Sequence, residues 1–364
     1  MMGSGNRGVF CRRVLTWARV GLCVLVGGRC ASPQAQDDDA AHTLHVYVNT
    51  IQIPVLVLEP DGERLKQLIA ADRFSVSLDS GPWFRATHVR PEGEDPISLA
   101  IVLDTSGYTA ELMPKMSAAI ADLASESLHA QDRVSIYAMD CALIHAVSGI
   151  PADRARLRQA VDSALGSSAI LKKGSHATAC EQEGHLWDTL LYVTSELGKE
   201  PGRRVILAIT DGRDRGSRQG WNELRYYAQA NGVAVFGVTW ISELLERYYA
   251  AWRGHSENVF NSVCQLTGGI VQRTTEENFG ETLKRFLVMV RERYIIEFPR
   301  PYNSTAGSHG LLVRIDKGDR NFFIRAAGIS VPIADAATRA DPNTVPEDPT
   351  RTPEQGKRKI LAPQ

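Results

Sequence analysis

The run Ile97-Ser98-Leu99-Ala100-Ile101-Val102-Leu103 ends abruptly in Asp104-Thr105-Ser106-Gly107-Tyr108, and this change from apolar to polar constrains the fold more than any other stretch. An apolar run of this length followed by helical sequence reads as a parallel strand buried on both faces. Open α/β sheets place their ligand crevice outside the carboxyl ends of such strands, so Asp104 and Ser106 are expected at a functional edge. The stretch Arg204-Val205-Ile206-Leu207-Ala208-Ile209-Thr210-Asp211-Gly212-Arg213-Asp214 repeats the pattern further along. If the two strands are parallel neighbours, Asp104, Ser106 and Asp211 converge on one crevice. All three offer hard oxygen ligands, which suit magnesium, calcium or manganese.

Around these strands the alternation of strand and helix is regular from Ile97 onward, which predicts an α/β fold with a doubly wound, mostly parallel sheet. Leu112, Met116, Ile120 and Leu123 recur at helical spacing, as do Leu157, Val161 and Leu165 within an expected helix from Asp153 to Leu165. Further strands are expected at Arg133 to Met139, Val233 to Trp240 and Ile270 to Arg273, with a short edge strand at Ala142 to Val147. Helices are expected at His185 to Leu197, Gln219 to Ala230, Ser242 to Ala251, Glu257 to Leu266 and Phe279 to about Arg293. The segment Gly166 to Gly184 has no clear period and reads as a loop.

Small all-β segments flank this domain. His45 to Leu58, Arg73 to Asp79 and Trp83 to Val89 carry strand patterning on one side, and Tyr294 to Phe298, Leu311 to Ile315 and Phe322 to Ala326 carry it on the other. Arg90 to Pro96 reads as a linker. The expected organisation is an export signal over 1–36, a β-rich unit over 43–90, the α/β domain over 97–293, a second β-rich unit over 294–331 and a disordered tail over 334–364. The flanking strands either pack together, making the α/β domain an insertion in a β-sandwich, or form two separate units.

Composition narrows the partners. Forty-one Lys and Arg against 42 Asp and Glu leave no excess cation to neutralise phosphates, which argues against nucleic acid. Arg7, Arg12, Arg13 and Arg19 precede the apolar Val20 to Gly28, a core too short to span a bilayer and suited to export. The mature chain is then expected in the periplasm or outside the cell, with no transmembrane span. Its remaining cysteines are Cys141, Cys180 and Cys264, an odd number that allows one pair. Cys141 with Cys180 is the candidate disulfide, and Cys264 reads as a buried small hydrophobe. The tail from Ala334 is dominated by Pro, Asp, Thr, Arg and Lys and has too little to bury.

The pair Asp104-Thr105-Ser106-Gly107-Tyr108 and Thr210-Asp211-Gly212-Arg213-Asp214 resembles the metal-ion-dependent adhesion site of von Willebrand factor type A domains. Together with Leu186-Trp187-Asp188 and Thr267-Gly268-Gly269, the order of elements resembles a secreted, acidobacterial group of von Willebrand A-like proteins, over roughly Val46 to Val331. The resemblance implies a non-enzymatic protein-binding or adhesion module. It implies a metal set of Asp104, Ser106 and Asp211, with Thr178 or Ser175 able to stand in for a distant threonine, and a partner's Asp or Glu carboxylate as the last ligand. The partner-facing surface would comprise Thr105, Gly107, Tyr108 and Asp214.

This sequence departs from the family pattern at two positions. Tyr108 stands where the first motif has its second serine, and Gly184 stands where the threonine is expected. The site is therefore degenerate, holding magnesium or manganese weakly or not at all, and a metal-free scaffold that binds through the same edge is the alternative. A third reading is enzymatic. Asp104 and Asp211-Gly212-Arg213-Asp214 imitate haloacid-dehalogenase-like phosphatases, yet those need a second carboxylate two residues after the nucleophile, where this chain has Ser106.

Overall fold

The structure, a computed structural model, describes residues 50–106, 113–140, 142–173, 184–240, 259–299, 307–316, 322–326 and 329–331. The export signal, Gly107, Tyr108, Cys141, Ser175, Thr178, Cys180, the helix expected at Ser242 to Ala251 and the tail lie outside the described residues.

Four strands lead in: β1 (Thr50–Leu58), β2 (Phe74–Leu78), β3 (Phe84–Arg85) and β4 (His88–Pro91). The central sheet is made of β5 (Ile97–Asp104), β6 (Arg133–Met139), β7 (Leu143–Pro151), β8 (Arg203–Ile209), β9 (Val233–Trp240) and β10 (Val271–Thr274). Helices α1 (Met113–Glu126), α2 (Arg154–Lys173), α3 (Leu186–Leu197), α4 (Trp221–Ala230), α5 (Val259–Leu266) and α6 (Phe279–Arg291) connect and cover it. Strands β11 (Tyr294–Pro299), β12 (Gly307–His309), β13 (Leu311–Ile315), β14 (Phe323–Ala326) and β15 (Ile329–Val331) follow.

The central sheet runs β10-β9-β8-β5-β6-β7, parallel throughout except for β7, which pairs antiparallel with β6 at the edge. This is a doubly wound order, with its switch point between β5 and β8. All eight residues of β5 are buried, because both faces of the strand carry helices. Leu99, Ile101 and Leu103 face a core shared with Ile120 and Leu123 of α1, Leu157 and Val161 of α2 and Phe286 and Val290 of α6. Ala100 and Val102 face the opposite core, with Leu190 of α3, Leu224 of α4 and Phe260 and Cys264 of α5. Alternate strand residues thus serve alternate layers.

Strands from the two ends of the described chain interleave. β1 lies between β11 and β14, β11 also pairs β4, and β13 pairs β2 beside β3, all antiparallel. Ile53, Val55, Val57, Phe74, Val76, Tyr294, Ile296 and Phe298 close a core between these two small sheets. β1 works on both sides, since Leu56 and Leu58 turn toward the α1–α2–α6 core instead.

Three sequence expectations are corrected. α2 continues past Leu165 through Gly166 to Lys173, and Ser168 on its last part is buried (1% exposed), so much of the expected loop is helix. The edge strand extends to Pro151, because pairing with β6 resumes beyond register shifts around Ile136 and continues to Arg133 opposite Pro151. The expected linker is a fixed junction, in which Arg90 and Pro91 belong to β4 and Glu92 is buried (1% exposed).

The glycine pair after α5 has a steric cause. Gly268 has φ +90°, the left-handed conformation that ends helices, and Gly269 lies where an added Cβ would come 2.1 Å from the Val235 carbonyl oxygen of β9. Backbone cannot swing aside as a side-chain tip can. Gly269→Ala is expected to destabilise the fold by about 1–3 kcal/mol or more, measured by urea unfolding. A change below about 0.5 kcal/mol would show that β9 yields freely there.

Candidate functional site

At the switch point β5 and β8 run side by side, with Leu103 opposite Ile209, so the next residues of both strands emerge together. Asp104 is fully buried (0% exposed). Its Oδ1 accepts hydrogen bonds from the Ser106 amide (2.9 Å) and hydroxyl (2.5 Å), and its Oδ2 accepts one from Thr210 Oγ1 (2.5 Å). Thr210 Oγ1 in turn accepts from the Gly212 amide at 3.0 Å, which fixes the start of the next loop. Burial pushes the Asp104 carboxyl up to about 6, opposed by the hydrogen bonds from Ser106 and Thr210 and aided by the nearby Asp211 charge.

Asp211 sits at the mouth. Its Oδ1 accepts from the Arg213 amide (2.9 Å), and its Oδ2 is ion-paired with Arg215 Nη2 (2.5 Å). Gly184, immediately before α3, packs on the other side: a Cβ there would lie 3.2 Å from Ser106 Oγ and 3.7 Å from Arg215 Nη1. The Gly184 carbonyl accepts from the Arg215 amide at 2.8 Å. Asp104, Ser106, Asp211 and Gly184 therefore converge, and Thr210 and Arg215 join them. Thr210 and Arg215 were not among the expected site residues; the one sequence signal for Arg215 is its spacing of four residues from Asp211.

Two residues expected on the partner-facing surface are committed inward. Thr105 is buried (4% exposed), with its hydroxyl on the Met139 carbonyl (3.0 Å) and on Ser168 Oγ (2.6 Å) of α2. A β-branched residue in that position anchors the turn to β6 and α2. Asp214 Oδ1 accepts from Ser217 Oγ (2.5 Å) and from the Trp187 amide (3.2 Å). Ser217 Oγ also accepts from the amides of Trp187 (3.0 Å) and Asp188 (3.1 Å), satisfying two donors at the start of α3. Asp188 answers by accepting from the Arg218 and Gln219 amides, both at 2.9 Å. The loop 211–219 is thus cross-braced to the amino end of α3.

As arranged, the site fits a divalent ion poorly. Gly184 supplies no side-chain oxygen, and Asp211 Oδ2 is taken by the Arg215 guanidinium, so a dication would have to compete with a positive charge already held there. Among the described residues no group of three or more His, Cys, Asp or Glu converges as a metal site. No described helix is long and apolar enough to cross a membrane.

No protein-family model matches the chain. No curated protein matches it either. Similar solved structures include conserved hypothetical protein BatB from Bacteroides thetaiotaomicron, at 14% identity over 54% of this chain and 98% of that one, with a TM-score of 0.36. The vWF domain of the type V pili tip protein Mfa5 from Porphyromonas gingivalis is 9% identical over 54% of this chain and 95% of that one, with a TM-score of 0.36. Proximal thread matrix protein 1 from the mussel byssus, with a zinc-occupied MIDAS motif, is 12% identical over 55% of this chain, with a TM-score of 0.39. This chain spans 50% of the length of that mussel protein. The fold assignment rests on the strand order and register given above.

Proposed function

We infer that this chain, whose central domain is von Willebrand A-like, is a non-enzymatic protein-interaction module that acts outside the cytoplasm and engages its partner at the carboxyl edge of β5 and β8. One observation carries the reading: the polar strand ends are locked into a rigid edge at the switch point, with the loop 211–219 braced to α3, and Arg213 and Arg218 exposed on it. Rigid, preorganised edges favour recognition because little is lost on ordering. The phosphatase alternative finds no support in the chemistry, since Asp104 is buried and both its oxygens accept hydrogen bonds. Two residues on, the acid/base position holds Ser106, whose proton is directed at Asp104. Of the two binding modes that the motif allows, the donor set favours the metal-free one.

The test is affinity capture on the immobilised full chain from cell-envelope extract, beside a variant carrying Arg213→Glu and Arg218→Glu. A specific protein retained by the native chain and lost by the variant is the expected result. Capture indifferent to those substitutions overturns the edge as the interface. Turnover of p-nitrophenyl phosphate that disappears in Asp104→Asn overturns the non-enzymatic reading.

A further inference from the structure

A Cβ on Gly184 would lie within 4 Å of both Ser106 Oγ and Arg215 Nη1. Arg215 is pinned there twice, by its backbone amide on the Gly184 carbonyl (2.8 Å) and by its Nη2 on Asp211 Oδ2 (2.5 Å). Its side chain is 27% exposed, so the guanidinium is held at the mouth rather than sealed below it. Gly184 adds no side chain beside it. A threonine in its place would bring its Cβ to 3.2 Å from Ser106 Oγ, close enough that the serine must give, and to 3.7 Å from Arg215 Nη1, an ordinary contact. The missing hydroxyl at Gly184 and the arginine four residues after Asp211 are thus neighbours in one arrangement.

We propose that Arg215 is the resident cation of this site, its guanidinium standing where an intact adhesion site holds a divalent metal, so that the edge receives an acidic group of its partner on an arginine and without an ion. The partner half of this statement rests on the interaction reading above. A guanidinium suits the role because it is charged at every physiological pH, is less strongly hydrated than an ammonium, and offers a planar fork of donors that matches a carboxylate. A pairing with Asp211 through one terminal nitrogen leaves other donors of that fork available. It also excludes a metal directly, because a dication would have to approach a fixed positive charge and displace it from Asp211.

The experiment is calorimetric titration of manganese chloride into the full chain and into Arg215→Ala, Arg215→Lys and the double variant Gly184→Thr with Arg215→Ala. Circular dichroism and the unfolding midpoint establish that each variant is folded. The native chain and Arg215→Lys are expected to give no saturable heat at millimolar ion. The folded double variant is expected to bind at least about tenfold more tightly than the native chain. Saturable binding by the native chain equal to that of Arg215→Ala overturns the proposal, and so does a folded double variant that gains nothing. Release by EDTA of a partner captured on the native chain also overturns it, while leaving the interaction reading intact.

Discussion

Arg293→Ala is expected to lower the stability of the chain by about 3–5 kcal/mol, the range for removing one partner of a buried ion pair. Arg293 and Glu92 are each 1% exposed. They meet through two parallel bonds, Nε to Oε2 at 2.8 Å and Nη2 to Oε1 at 2.9 Å. The Glu92 amide also donates to the Arg293 carbonyl at 2.7 Å. Truncation leaves a buried carboxylate without its bidentate partner. The double variant Glu92→Gln with Arg293→Met tests the cause, because removing both charges while keeping the volume is expected to restore most of the loss. Urea unfolding of the three proteins measures it. A loss under about 1 kcal/mol in Arg293→Ala would show that water reaches Glu92 and that the pair behaves like a surface bridge.

Asp104→Asn is expected to change how stability depends on pH. The carboxyl has an ordinary value of 3.8 and is raised to about 6 by burial. The folded state thus holds its proton more tightly than the unfolded state. The protonated carboxyl's contribution is fully present below pH 3.8 and is lost as the pH rises through about 6. A shift of this size corresponds to about 3 kcal/mol, since each pKa unit is worth about 1.4 kcal/mol. The asparagine variant has no such slope. It disturbs the Thr210 hydrogen bond equally at every pH, so the difference between the two proteins is expected to move toward the variant by that amount between acid and neutral solution. Urea unfolding at intervals across the window reads it. Parallel pH profiles would show that the ionised form is as well solvated by Ser106 and Thr210 as it would be by water.

The sequence made the layered domain legible because its strands are buried on both faces. Runs such as Arg133 to Met139 and Val233 to Trp240 admit no amphipathic alternative, and their observed bounds coincide with those expected. What escaped was decided by tertiary contact. Gly166 and the following serines look like a break, yet Thr105 reaches across to Ser168 and draws the helix past them. Glu92 reads as a solvated linker residue until Arg293, distant in sequence, is folded onto it. At the candidate site Asp104, Ser106 and Asp211 were readable from motif spacing, and the structure brings them together. Arg215 was not, since a motif records which ligands are present and is silent about a cation that takes their ion's place.

The join at Glu92 and Arg293 also has a mechanical meaning. β4 and β11 are antiparallel neighbours, with Pro91 opposite Tyr294, and the Gly93 amide continues the ladder by donating to the Arg291 carbonyl at 2.8 Å. The chain therefore leaves for the α/β domain and returns from it at almost one point, clipped by a buried bond pair. Because β1 and β14 are antiparallel neighbours, with Val55 opposite Ala326, a pull on the outer ends of these two strands would open their ladder from one end, and the domain bearing Asp104 and Arg215, tethered at β4 and β11, lies off that line of force.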